Sequence, residues 1–505
     1  MNTFMNGLKN ATNYGYTENG AVKHTSTNSA VYDMFAFGAA YRSRSDSDCI
    51  LLFKKAFEEN AELALKCLFW IRDCRGGAGE RRFFRTCIKW LAVEHPEVVK
   101  RNLAFIPEMG RWDDLYELVN TPLENDFFNM IKTQLEKDME DIMTGKPNIG
   151  ISLVGKWLKS ENSSSQETKR LAKRTREALG LTSRTYRKTL SKLREHIKVL
   201  ERLMSANRWD EIDFSKIPSK AGLVYRNAFA RRDIIAEKYR TFAKSKTTKV
   251  NAAALYPYEI VHKAINAAYL PLDDTERLMV NKYWENLPDY LEGKDCSMMC
   301  VVDTSGSMLG TPIDVAISLG MYCAERLNGP FKNHYISFAS SPQLINIKGV
   351  DFADKVNRIY RTNLCDNTNL EAVFDLLLSI ARLPNVKKKD IPETIVVISD
   401  MEIDSATMHA WWQKNRKESY HTWTKDSTVT EMEKIRQKWA NYGFQLPRLI
   451  YWNVDARNET ILDAGPNVSF VSGMSPTLFK SILTGKNGYQ LMIETICTDR
   501  YKDIK

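Results

Sequence analysis

The sequence lacks any apolar run long enough to cross a membrane. A membrane-spanning helix needs about 18 consecutive apolar residues, and no stretch of the 505-residue chain approaches that length. The opening MNTFMNGLKNATNYGYTENG is polar and has no hydrophobic segment of the kind found in signal peptides. We therefore expect a cytoplasmic protein with no membrane partner, which begins with a flexible N-terminal arm over residues 1–30.

Cysteine pairs at metal-binding or redox spacing are also missing. The chain has nine cysteines, an odd number, and no two of them form a Cys-x-x-Cys motif. Several stand in apolar contexts such as ALKCLFW. This pattern argues against a zinc site and against a disulfide framework, and it favours buried, reduced thiols.

Recognisable catalytic motifs are absent as well. The seven histidines are scattered, and neither His-x-x-x-His nor Gly-x-Ser-x-Gly occurs. The loop RGGAGERR over residues 75–82 lacks the Gly-Lys-Ser/Thr ending of a phosphate-binding loop and follows no predicted strand. We interpret it as a turn between helices and predict a protein without enzymatic activity.

The positive charge of the chain is concentrated in one segment. The formal net charge is +10, and residues 168–208 contain thirteen Lys or Arg against three Glu, a local excess that equals the total. Such a concentration is typical of an anionic partner, with nucleic acid the first candidate, although a solvated helix face is the alternative.

The first 290 residues have the pattern of short helices joined by turns. AFEENAELALKCLFWIRDC has apolar residues at helical spacing, and a helix from about Glu80 would place Phe84, Cys87, Ile88 and Leu91 on one face. RWDDL at residue 111 is echoed by RWDEI at residue 208. We predict a helical-repeat, HEAT-like solenoid or ring over residues 31–290.

The basic segment is predicted to be helical, with an apolar stripe from Leu190 to Met204 facing inward. Tyr186, Trp209 and Tyr225 are candidates for stacking on unpaired bases, or else belong to the core. The cations predicted to contact RNA phosphates are Lys169, Arg170, Lys173, Arg174, Arg184, Arg187, Lys188, Lys192, Arg194 and Lys198.

From residue 291 to 505 the pattern changes to strands that alternate with helices. Short apolar runs predict strands at SMMCVVDT (297–304), HYISFAS (334–340), TIVVISD (394–400), RLIYWNV (448–454) and NVSFVSG (467–473). Helical stretches lie between them. This alternation predicts a doubly wound, Rossmann-like parallel sheet, whose ligands bind beyond the carboxyl ends of the strands.

Polar side chains stand at those strand ends. Asp303, Ser305 and Ser307 follow the first strand, Thr368 precedes a helix, and Asp400 ends the strand TIVVISD. Three hydroxyls and two carboxylates are the oxygen donors that a hard divalent cation such as Mg²⁺ prefers, and such a site would leave a position open for a partner's oxygen. The alternative is a set of turn residues without a metal.

This arrangement resembles the metal-ion-dependent adhesion site of von Willebrand factor A domains, with Asn-x-Thr where the family often has Gly-x-Thr. A helical region followed by an A domain is similar to the TROVE-type architecture of Ro autoantigens. The segments RDCRGGAGERRFF, IPEMGRWDDLYELV, SLVGKWLKSENSSS and IDFSKIPSKAG further resemble the Ro-like group catalogued as domain of unknown function 2828. The resemblance implies a basic ring that binds single-stranded RNA ends and small structured RNAs.

Two functions therefore stand as hypotheses. The first is a non-enzymatic, Ro-like RNA-binding protein that holds small non-coding or misfolded RNA on the basic helices, with Mg²⁺ in the A domain. The alternative is a protein-interaction scaffold that captures a partner's carboxylate through the metal. Phosphate-held RNA should dissociate steeply with salt, whereas metal-bridged protein binding should be abolished by a chelator.

Overall fold

The computed structural model describes residues 13–17, 22–145, 150–265, 272–294, 296–339, 341–362, 369–402, 430–463, 465, 467–482 and 487–505. The N-terminal part is helical and the C-terminal part contains a six-stranded mixed sheet, so the α plus α/β class predicted from the sequence is confirmed. Among the helices in these ranges, none is long and apolar enough to cross a membrane.

The helices of the N-terminal part differ widely in length. They are α1 (Ala30–Phe37), α2 (Asp46–Glu59), α3 (Ala61–Arg72), α4 (Arg82–Glu94), α5 (Pro96–Asn102), α6 (Phe105–Met109), α7 (Glu124–Met143), α8 (Val154–Trp157), α9 (Gln166–Ala178), α10 (Ser183–His196), α11 (Leu200–Ser205), α12 (Ser219–Arg231), α13 (Asp233–Lys244), α14 (Pro257–Ile265) and α15 (Asp274–Glu285). In α4 the four apolar residues predicted to share a face are all buried.

Two continuous helical patterns are interrupted. Asn60 ends α2 in an extended conformation, and its side chain accepts a hydrogen bond from Leu63 N at 3.0 Å, so it caps α3. The helical spacing of apolar residues in AFEENAELALKCLFWIRDC is therefore shared by two helices.

The predicted helix across the basic segment is also interrupted. Lys198 has φ of +48°, and Val199 N donates to Arg194 O at 3.0 Å, which closes α10 before α11 begins. This i to i−5 bond after a left-handed residue is a common helix ending, more often made with glycine. The single apolar stripe from Leu190 to Met204 is therefore split between two helices.

The two echoed motifs adopt the same local structure. Short 3₁₀ helices span Trp112–Leu118 and Trp209–Glu211. At the first motif the helix begins after Arg111, whose backbone N–H donates a hydrogen bond to Asp114 Oδ2 at 2.9 Å.

All five predicted strands occur, and the sheet gains a sixth. Two short N-terminal strands, β1 (Tyr14–Tyr16) and β2 (Val22–His24), precede the sheet. The six strands of the sheet are β3 (Met298–Asp303), β4 (His334–Phe338), β5 (Leu344–Asn346), β6 (Thr394–Ser399), β7 (Arg448–Asn453) and β8 (Val468–Ser472). Their order in the sheet is β5-β4-β3-β6-β7-β8, and β5 pairs antiparallel with β4. The prediction of a parallel sheet was wrong at this edge, since β5 has only three residues, is largely exposed and is too short to show as an apolar run.

Helices accompany these strands. They are α16 (Thr311–Arg326), α17 (Phe352–Thr362), α18 (Leu370–Ala381), α19 (Glu431–Asn441), α20 (Phe479–Ile482) and α21 (Gly488–Ile496). Every residue of β3 is buried, as are nearly all residues of β6 and β7, which explains their continuous apolar sequences.

The two ends of the chain hold the halves together. Strands β1 (Tyr14–Tyr16) and β2 (Val22–His24) form a hairpin within the predicted arm, and His24 N donates to Ile461 O at 2.8 Å. Helix α1 packs on β8, where Phe470 N donates to the Tyr32 hydroxyl at 2.7 Å. Buried apolar side chains of both halves form one continuous core.

Candidate functional site

The predicted metal-site carboxylates lie together at one edge of the sheet. Strands β3 and β6 are parallel neighbours, with Val302 opposite Ile398. Strands β4 and β5 are added on one side of β3 and strands β6, β7 and β8 on the other, so the strand order reverses between β3 and β6. Asp303 ends β3 and Asp400 directly follows β6. Ligands of open α/β sheets bind at such a reversal, beyond the carboxyl ends of the strands.

Hydrogen bonds fix the Asp303 carboxylate and the loop that follows it. Asp303 is fully buried and accepts hydrogen bonds from Ser305 N at 2.9 Å and from the Ser399 hydroxyl at 2.5 Å. The hydroxyls of Ser305 and Ser307 are 3.0 Å apart. Three of the predicted ligands are thus brought together, and Ser399 is a supporting residue that the sequence analysis missed.

The Asp400 carboxylate is only half satisfied. One oxygen accepts a hydrogen bond from Glu402 N at 3.1 Å, whereas no described residue donates to the buried Oδ2 within hydrogen-bond distance. The Ser307 hydroxyl is nonetheless close to this carboxylate. Burial raises the pKa of Asp400. Burial and the charge of Asp400 also raise the pKa of Asp303. Two buried carboxylates that repel each other are a pair that a bound cation would stabilise.

Two further charged residues border the site. Arg457 donates to the backbone oxygen of Ser307, and its charge lowers the pKa of Asp400. Glu402 is buried and accepts a hydrogen bond from Asn458 at 3.1 Å. Neither Arg457 nor Glu402 was predicted, because they follow strands without belonging to the Asp-x-Ser-x-Ser pattern.

The donor set fits a hard cation that keeps several waters. Within the described ranges, no group of three or more His, Cys, Asp or Glu could hold a metal ion, so a cation here would depend on the serine hydroxyls as well. Mg²⁺ is bound in this way, through few carboxylates and retained waters. Thr368, the remaining predicted ligand, lies outside the described residues.

Helix α10 exposes a row of cations. Arg184, Lys188 and Lys192 are spaced by four residues, all are exposed, and none pairs with a carboxylate of the residues that the structure describes. The opposite face buries Tyr186 and Leu190. Lys198 is exposed beyond the end of the helix, and Arg187 is exposed with Glu161 4.0 Å away. We call Arg184, Lys188, Lys192 and Lys198 the α10 row.

The other predicted RNA contacts are partly neutralised. Arg174 forms a two-bonded ion pair with Glu124, and Arg170 forms one with Glu167. Lys173 is 4.0 Å from Glu177. Lys169, on the same helix, has no ion-pair partner in the described part of the chain.

Arg194 has a structural role instead. It is half-buried and donates at 2.8 Å to Gly155 O, Leu158 O and the Ser160 hydroxyl. Burial lowers its pKa. Its guanidinium thus holds the loop around α8 against α10 rather than facing solvent.

Most of the aromatic candidates belong to the core. Tyr186 is fully buried and its hydroxyl donates to Lys159 O at 2.7 Å. Trp209 is buried beneath the Arg232 guanidinium, 5.0 Å from the ring centre. Tyr225 alone is half-buried, within 3.4 Å of Glu201.

The RGGAGERR loop is a packed turn, as predicted. A side-chain carbon added at Gly77 would lie 2.0 Å from Trp70 O, and the carbonyl of Gly77 accepts a hydrogen bond from Thr477 at 3.1 Å. Asp73, at the start of the loop, is fully buried and pairs with Arg500 near the C-terminus. This region of the helical part is therefore bound to the C-terminal part of the chain.

The cysteines agree with the interpretation of reduced thiols. The eight cysteines within the described residues are all free, and five of them are buried. Cys365 lies outside the described residues. Burial raises the pKa of Cys67 and Cys87, which makes those thiols unreactive.

Comparisons with known proteins match the whole of this architecture. The profile of the family described as "Domain of unknown function (DUF2828)" matches residues 17–133 and 151–295, and that of "Domain of unknown function (DUF7788)" matches residues 297–501. The chain is similar to the uncharacterized protein L728 of Acanthamoeba polyphaga mimivirus, with 30% identity over 512 residues that cover 94% of this chain and 85% of that protein. Since the first profile spans both blocks of the helical part and this relative aligns over nearly the full length, the chain belongs to the DUF2828 family.

Proposed function

We propose that this chain is a non-enzymatic RNA-binding protein of Ro-like organisation, in which the helical part carries the RNA. The α10 row is the observation that supports this proposal most directly. Surface cations in folded proteins commonly pair with neighbouring carboxylates, as Arg170 and Arg174 do here. Arg184, Lys188 and Lys192 are exposed at one-turn spacing, Lys198 follows beyond the helix end, and none of the four has such a partner in the described part of the chain, which suits them to consecutive phosphates.

We propose further that the C-terminal part is a von Willebrand A-type domain with a Mg²⁺ site. Three observations support this assignment: the strand order with an antiparallel edge strand, the Asp303 and Asp400 pair, and a buried Asp400 Oδ2 without a hydrogen bond from the described residues. Ser305 and Ser307 would bind the cation directly and the two aspartates through water. Bound Mg²⁺ would supply a Lewis-acidic position for one oxygen atom of a partner.

Binding of a single-stranded RNA at increasing salt tests the proposal. For single strands the slope of log K against log salt is roughly −0.7 per neutralised phosphate. Changing Arg184, Lys188, Lys192 and Lys198 to Glu should therefore flatten the slope by about 3 if each contacts one phosphate. The matched control changes four other exposed lysines to Glu, namely Lys55, Lys132, Lys388 and Lys389.

The alternative is a protein scaffold whose A-type domain captures a partner carboxylate. The half-satisfied Asp400 and the serine hydroxyls favour it, since a metal held by few charges stays electrophilic. Partner capture that is abolished by a chelator and unaffected by the α10 row variant, together with no RNA binding, would establish the scaffold instead.

A further inference from the structure

A second basic surface lies away from the α10 row. It consists of one half-exposed tryptophan and five cations, which we call the Trp157 patch: Arg81, Lys89, Arg111, Lys156, Trp157 and Lys159. None of these cations forms an ion pair with a carboxylate within the described part of the chain. The patch combines charge with an aromatic ring, which the α10 row does not.

The tryptophan of the patch is surrounded by cations. The Arg111 guanidinium lies 4.7 Å and the Lys156 ammonium 5.5 Å from the centre of the Trp157 ring. The Lys159 ammonium lies 4.9 Å from the ring of Tyr116. These are cation–π distances, and each cation keeps its full charge for an added anion.

Arg111 lies among other charged groups. It is half-buried, and its pKa is lowered by burial and by the neighbouring charges of Arg72 and Arg81, while the charge of Asp113 acts in the opposite direction. The charge of Arg72 is neutralised by Asp114 at 2.7 Å, but Arg81 has no acidic partner among the described residues. A bound phosphate would relieve the mutual repulsion of Arg81 and Arg111.

The loop that carries the patch is held rigidly. Arg194 binds two of its carbonyls, and Tyr186 binds the carbonyl of Lys159. At Gly155 an added side-chain carbon would lie 2.7 Å from Leu193 Cβ, so the loop approaches α10 as closely as only glycine permits. Arg194 and Tyr186, which were candidates for RNA contact, thus hold the loop that carries the patch.

The patch borders an open groove. Arg81 and, from helix α4, Lys89 and Trp90 line a groove of about 680 Å³. Three carboxylates also line it: Glu94, Asp46, which pairs with Arg82, and Glu117, which pairs with Arg85. Burial raises the pKa of Glu117 and the charges of Lys89 and Lys159 lower it, so both lysines lie near this carboxylate and the groove lies next to the loop. Cations of the patch therefore extend from the tryptophan into a concave site of mixed charge.

We propose that the Trp157 patch is a second nucleic-acid site, which binds an unpaired stretch of single-stranded RNA. Arg81, Arg111 and Lys156 would contact phosphates, and a base would stack on Trp157 or on the guanidinium that covers it. The cations alone would bind an acidic peptide equally well, whereas the tryptophan favours a ligand whose bases can stack on its ring. The inference rests on the proposed RNA-binding function and adds a site on the side of α10 opposite the row.

The test uses the full-length chain and a fluorescein-labelled 15-nucleotide oligouridylate. Trp157→Leu, which keeps every charge, should weaken binding about tenfold, the scale of one lost base–aromatic stack. Trp157→Phe should restore most of it. The double variant Arg111→Gln, Lys156→Gln should also weaken binding. Its melting temperature should be unchanged, which shows that the loss of binding does not come from unfolding. A 4-thiouridine oligonucleotide should cross-link to Trp157.

The outcomes separate the two proposals. Loss of binding in the patch variants supports the inference, whatever the α10 row variant does. If wild-type protein binds and only the row variant is impaired, the RNA-binding function stands and the patch is overturned. A polyglutamate peptide that competes fully, with Trp157→Leu unaffected, would show an acidic-protein site and overturn the inference. No binding by wild-type protein overturns both proposals.

Discussion

Removal of the Asp114 charge should destabilise the helical part strongly. Asp114 is fully buried and pairs with Arg72 at 2.7 Å and with Arg85 at 2.7 Å. Arg72 is itself only 2% exposed, so Asp114→Asn leaves a buried guanidinium without its counter-charge. Breaking a buried pair in this way costs about 3–5 kcal/mol. Arg85 loses less, because Asp113 remains 2.9 Å away.

The assay is thermal unfolding, followed by calorimetry. A loss of about 4 kcal/mol corresponds to a melting temperature lower by about 10 °C in the transition that contains the helical part. The double variant Arg72→Met, Asp114→Leu is the control, since well-packed apolar replacements of a buried pair are often neutral. A single variant Asp114→Asn that melts within about 1 °C of wild type would refute the reasoning.

Three further outcomes follow from the structure. Gly77→Ala should destabilise by roughly 1–3 kcal/mol through its clash with Trp70 O, and unchanged denaturation would contradict the packed turn. Mg²⁺ at about 100 times its dissociation constant should stabilise wild type by about 2.7 kcal/mol but leave Asp303→Asn unchanged, and equal melting shifts would count against the site. Burial raises the pKa of Asp33 to about 6 in the folded protein. Protonation of Asp33 therefore stabilises the fold fully below the pKa of the unfolded chain, and this stabilisation is lost as the pH rises through 6. The difference in melting temperature between wild type and Asp33→Asn should therefore fall from pH 4 to pH 7.5, and a flat difference would show that the carboxyl is not so perturbed.

The sequence was most informative where periodicity and burial coincide. The strands β3, β6, β7 and β8 are buried on both faces, so their apolar runs were visible without any partner. Because parallel strands share one carboxyl edge, the approach of Asp303 to Asp400 followed from the same pattern.

Boundaries set by single residues were not visible in the pattern. Asn60 ends one helix and caps the next, and Lys198 takes a left-handed conformation that apolar spacing does not encode. The role of Arg194 was also hidden. Its charge suggested a phosphate contact, whereas its three acceptors come from a loop more than 30 residues away in sequence. Contacts of that range depend on tertiary packing.

The contact between the two chain ends was the least predictable feature. The hairpin β1–β2 lies in a polar segment, yet it pairs with Ile461. The pairing of Asp73 with Arg500 likewise joins residues that no local pattern connects.

The central claim is that the α10 row holds RNA, and recovery of cross-linked RNA from cells tests it most directly. Wild-type protein, the variant with Arg184, Lys188, Lys192 and Lys198 changed to Glu, and the four-lysine control should be compared at equal expression. RNA should be enriched on the wild type and on the control but lost from the row variant. Equal recovery from all three proteins, or none from wild type, would contradict it.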